Sequence, residues 1–159
     1  MQIISSGKAS SSTPPRLPID KLLLACMLSL GAIQPAQAEA QALVVHLRNI
    51  QGATGSLRAS LYRTPESFRK EDKALKVISV PVNGNVAELK FDGLQPGKYA
   101  VMVYHDANAD QKLNLRFGMF PIEGYGLSKN PVVMGPPKFE DSAFDLVGPE
   151  TRIDIQLAY

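Results

Sequence analysis

Oxygen-bearing side chains stand at alternate positions between residues 106 and 114: Asp106, Asn108, Asp110 and Asn114, with Lys112 offering its backbone carbonyl in the same rhythm. A hard cation such as calcium takes roughly six to eight oxygens, and short Asx side chains at every second position of a loop deliver them. Two positions depart from that pattern. The sixth is Gln111 where a sharp turn wants glycine, and the twelfth is Phe117, which has no carboxylate to give. Glu140 or Asp141 would have to fold back to complete the shell. The competing reading is an Asx-rich loop whose side chains bond their own backbone, and it is preferred here. Bound calcium would be held only in the weak extracellular range, about 10⁻⁴ to 10⁻³ M.

His105 adjoins Asp106, and a histidine beside a carboxylate is the usual start of general-base chemistry. A hydrolase would combine His105 with Asp106, Asp110 or Glu140. No serine or cysteine nucleophile motif accompanies them, and adjacent strand residues point to opposite faces. His105 is therefore expected to bond a backbone carbonyl of the long loop that follows it, and catalysis is not expected. His46 falls at an outward strand position and reads as a surface residue. With two histidines and one cysteine in the chain, a transition-metal site is not expected either.

The loop itself, Phe117 to Gly126 (FGMFPIEGYG), is apolar for a connection. Phe117, Met119, Phe120, Ile122 and Tyr125 either cap one end of the fold or form a ligand-binding lip. The cap is the commoner use; the lip makes His105, Phe117, Phe120 and Tyr125 the candidate ligand contacts. Lys112, Arg116 and Lys129 flank it, too few for a nucleic-acid groove.

Period-two alternation runs through the elements that must carry these residues. Leu43, Val45 and Leu47 alternate with Val44, His46 and Arg48, and Leu57, Ala59 and Leu61 with Ser56, Arg58 and Ser60. The two runs predict a pair of antiparallel strands. Thr64-Pro65 predicts a capped helical turn. Strands follow at about 74–82 and 86–91, joined by the hairpin dipeptide Asn83-Gly84. Lys98 to Tyr104 (KYAVMVY) is apolar on both faces, as a central strand should be. The chain ends in strands at about 143–147 and 151–158, turned by Gly148-Pro149-Glu150. Seven short strands predict an all-β, antiparallel, seven-stranded β-sandwich with Greek-key connections.

The stretch FDGLQPGKYAVMVYHD, Phe91 to Asp106, is similar to prealbumin-like sandwiches of the carboxypeptidase-regulatory type. HDANADQKLN, FGMFPIEGYGLSKNP and PPKFEDSAFDL narrow the likeness: from Leu43 to Tyr159 the chain resembles the bacterial domain-of-unknown-function family 2141. The resemblance implies an exported sandwich domain and no particular activity. Family members usually carry Gly where this chain has Gln111 and often an Asp near Asn114, so the resemblance lends a metal site little support.

The first 38 residues read as a cleavable leader. A polar, basic stretch precedes the apolar run Leu22 to Ile33, which is too short for a bilayer span; Pro35 breaks it, and Ala36-Gln37-Ala38 forms a cleavage site. Cleavage after Ala38 would leave residues 39–159 as a single domain, periplasmic or secreted, with no integral membrane span. The one cysteine, Cys26, would leave with the leader, which excludes disulfides and thiolate chemistry from the mature domain. The leader also holds three of the seventeen basic side chains (Lys8, Arg16, Lys21) and one of the fifteen acids (Asp20), so the remainder is near neutral. Nucleic-acid binding is not expected of it. The preferred reading is a non-enzymatic envelope domain binding a protein, glycan or small ligand through the 105–137 loop face. A calcium-stabilised structural module is the alternative, and the hydrolase the least favoured.

Overall fold

The computed structural model describes residues 40–159; the leader and its cleavage site lie outside them. The described chain is mostly β with one short helix. Strand β1 is Gln41–Arg48, β2 Ser56–Tyr62, β3 Lys76–Pro81, β4 Val86–Leu94 and β5 Gly97–Asp106. The long irregular segment contributes three short strands, β6 (Leu115–Arg116), β7 (Phe120–Pro121) and β8 (Tyr125–Leu127). Helix α1 (Phe139–Ser142) then leads to β9 (Phe144–Leu146) and β10 (Glu150–Gln156).

These form a three-stranded sheet ordered β10-β1-β4 and a five-stranded sheet ordered β3-β2-β5-β8, in which β9 also pairs with β5. Strand β2 fills one edge of β5, from Ala100 to Asp106. The other edge is divided: β8 takes Met102 to Tyr104 and β9 takes Gly97 to Tyr99.

The inward residues of both sheets meet in one core. Leu43, Val45, Leu47, Leu89, Phe91 and Ile155 come from the first sheet, and Leu57, Ala59, Leu61, Tyr99, Val101 and Val103 from the second. The alternation predicts this division correctly, because side chains two apart on a strand share a face. Both faces of β5 are apolar because a second cluster covers its outer side. Ala100, Tyr62 and Leu127 pack there beneath Phe68 and Phe139, whose rings meet edge to face at 5.9 Å. The Pro96-Gly97 turn is closed by Tyr99, whose hydroxyl donates to the Gln95 carbonyl at 2.7 Å.

Strand pairing departs from what the sequence's turns suggest in three places, two of them expected pairs. The runs in β1 and β2 do not pair with each other, Asn83-Gly84 does not close a hairpin, and Gly148-Pro149-Glu150 joins unpaired strands. In each case the chain crosses from one sheet to the other. Alternation fixes which face is buried and says nothing about which neighbour fills an edge. The seven expected strands are β1 to β5, β9 and β10; the three short ones are additional. Nor is every pair antiparallel, since β1 and β10 run parallel from Ala42↔Glu150 to Arg48↔Gln156.

Candidate functional site

The end of β5 places His105 and Asp106 at one rim, on opposite faces of the sheet. His105 turns inward and is buried. Its Nε2 lies 2.8 Å from the Thr54 carbonyl, which only accepts, so Nε2 carries the proton. Its Nδ1 then accepts from the Tyr159 hydroxyl at 3.0 Å. That hydroxyl in turn accepts from the Gln51 amide at 2.9 Å. Both ring nitrogens are thus engaged. The carbonyl partner is in the β1–β2 connection, not in the long loop as expected. Gly55 allows this approach: a Cβ there would strike the Asp106 carbonyl, and its φ of 85° favours glycine.

Asp106 faces the other way and is also buried. Its two carboxylate oxygens accept from the Asp110 and Gln111 amides at 3.1 and 3.0 Å. Asp110 accepts from the Lys112 amide at 2.9 Å and from the Asn114 and Asn108 side-chain amides at 3.0 and 3.1 Å. The hydrogen bond from Asn114, with those from Asn108 and Lys112, holds the Asp110 carboxyl below its ordinary range. Asp106, Asn108, Asp110 and Asn114 therefore do converge, in a ring of hydrogen bonds closed on itself. Lys112 enters through its amide. Ala109 and Gln111 both have φ of 61°, so the sixth position takes the left-handed turn expected of glycine.

Glu140 and Asp141 are not part of this ring. They lie on α1, whose Phe139 packs with Ala100 toward the opposite end of β5, and Asp141 accepts from the Lys138 amide at 2.8 Å. The acid that joins the loop is Glu123, unanticipated from sequence. It accepts from the Ala107 and Asn114 amides at 3.1 and 3.0 Å, pinning both ends of the Asx loop to the start of β8. A lone carboxylate in the otherwise apolar FGMFPIEGYG was the available signal. Tyr159 gave no such signal, and Thr54 contributes a backbone atom that no side chain announces. Among the described residues, no group of three or more His, Cys, Asp or Glu side chains is arranged to hold a metal ion.

Beyond the ring, and among the described residues, β6 and β7 pair only with each other, through Leu115↔Pro121 and Arg116↔Phe120. Their turn uses Phe117 and Gly118 at φ of 54° and 69°. Phe117 is 84% exposed, Met119 68%, Phe120 61% and Ile122 63%. These side chains project from the fold and do not cap its end. Tyr125 is half-buried in β8, bonded through its backbone to Ala158, and does not join them. The four candidate ligand contacts thus divide: Phe117 and Phe120 share the projecting hairpin, while His105 and Tyr125 belong to the body of the fold.

Residues 45–154 match a family model described as "Uncharacterized protein conserved in bacteria (DUF2141)". No curated protein and no solved structure matches the chain.

Proposed function

The chain belongs to this bacterial family, and we propose that it is an exported, prealbumin-like β-sandwich whose 105–137 rim binds an envelope component, without catalysing a reaction. The observation that carries this reading is the β6–β7 hairpin. It joins neither main sheet among the described residues, yet Leu115, Phe117, Met119 and Phe120 are exposed on it and Ile122 just beyond it. A two-stranded hairpin alone is marginal in water, and solvent-exposed apolar side chains add little to the fold. Exposed apolar side chains clustered in one short segment mark interaction sites. The hydrogen-bonded ring below supports the hairpin: the Ile122 amide donates to Asn114 at 3.0 Å, and Glu123 clamps the same residue.

A photo-crosslinking residue at position 117, compared with one at exposed Val147 near the opposite end of the sheets, tests this in cells producing the full chain. Adducts formed from position 117 and absent from 147 are expected. Equal labelling from both would overturn the reading.

The calcium-module alternative requires Asn108 and Asn114 to turn their amide oxygens toward Asp110. Millimolar calcium against chelator separates the two, because a ligand bound only by the native state raises the melting temperature. The preferred reading expects no shift. A rise of several degrees, lost in Asp110→Ala, would move the assignment to calcium.

A further inference from the structure

We infer that the β6–β7 hairpin is a membrane-surface wedge whose occupant is an anionic phospholipid bilayer; this rests on the binding role proposed for the same rim and names its partner. Small ligands and sugars are held in concave sites. Two shallow concavities on the described surface lie elsewhere, one lined by Pro65, Phe68, Pro136 and Phe139 and the other along His46 to Arg48 and Val86 to Glu88. The hairpin is convex, with Phe117, Met119, Phe120 and Ile122 all more than half exposed. A projecting apolar tip matches the acyl–headgroup boundary, where binding grows with the apolar area inserted and with attraction to anionic lipid.

Residues 111–122 contain Lys112 and Arg116 and no acid. Neither cation is ion-paired among the described residues. The neighbouring carboxylates are engaged by the loop's own amides: half-buried Glu123 accepts from the Ala107 and Asn114 amides, and Asp110, although exposed, from Asn108, Asn114 and the Lys112 amide. The tip therefore presents Arg116 among the exposed apolar side chains, with exposed Lys112 at its base beside Asp110, which complements a negatively charged headgroup layer.

The chain contains no tryptophan, so Phe120→Trp introduces a unique fluorophore at the tip, and Val147→Trp a control near the opposite end. The full chain of each variant is mixed with vesicles of phosphatidylcholine alone, or with phosphatidylglycerol added in equal amount. The indole of Phe120→Trp is expected to blue-shift on the anionic vesicles and to be quenched by bromine-labelled acyl chains, while that of Val147→Trp does neither. Adding Lys112→Gln and Arg116→Gln lowers the partition coefficient by about 30-fold. No shift for Phe120→Trp, or the same shift at both positions, overturns the proposal. If the vesicle signal is absent while crosslinks from position 117 persist, the lipid assignment falls and the binding rim stands. If both are absent, both fall.

Discussion

At the scale of single residues, the rim is organised by where lone pairs and protons are placed. Asp106 is buried with both carboxylate oxygens accepting from backbone amides. Asp106→Ala leaves the Asp110 and Gln111 amides without that partner and is expected to lower the unfolding free energy by about 2 kcal/mol, measured by urea denaturation. Gln111 is strained in the opposite sense, holding a φ of 61° with a β-carbon. Gln111→Gly is expected to stabilise by about 0.5 kcal/mol, the relief of left-handed strain exceeding the extra entropy of glycine. The outer face of the second sheet adds a pH dependence. Burial raises the Tyr104 phenol well above its ordinary value of 10.0, and the nearby Glu71 adds to the shift; Tyr62 is raised for the same first reason. Above about pH 10 the unfolded chain loses these protons while the folded one keeps them, so stability falls as pH rises through that range. Denaturation midpoints between pH 9 and 11 should show the decline, and it should be shallower in Tyr104→Phe. The Asx ring was legible because its members are close in sequence. Tyr159 and Glu123 were not, because their partners lie 54 and up to 16 positions away.

At the scale of elements, alternation specified the buried face of nearly every strand. The turn residues marked where strands end. Neither signal carries information about edges, which is why the expected β1–β2 pair and the Asn83-Gly84 hairpin proved to be crossings between sheets, as did the Gly148-Pro149-Glu150 turn. The short strand β8 shows how an edge is chosen instead. Gly126 lies opposite Val103 and against β10 and the residue beyond it; a Cβ there would stand 2.6 Å from a methyl of Ile155 and 2.9 Å from the Gln156 carbonyl. Only glycine lets β8 close on β5 while touching the first sheet. Gly126→Ala is expected to cost about 1–3 kcal/mol by overpacking, read as a lower urea midpoint with an unchanged slope. The same variant should leave the β6–β7 turn, whose side chains are exposed, free to react with its partner.

For the whole molecule, two layers of strands enclose one core, and the connections at one rim hold the hydrogen-bonded Asx ring and the projecting hairpin. The likeness of the central segment to its family was visible in the sequence, and so was the apolar character of the Phe117–Gly126 loop. Whether those side chains cover the core or face solvent depends on how the segment folds back, and composition does not determine that. If the hairpin is displayed for a partner, as proposed, it contributes nothing to the core. Thermal and urea unfolding of the full chain carrying Phe117→Ser together with Phe120→Ser tests this most directly. The predicted result is a stability within about 0.5 kcal/mol of the parent, as for other surface changes. A loss of about 3 kcal/mol or more, the range for truncating buried aromatic side chains, would contradict it and return the hairpin to the role of a cap.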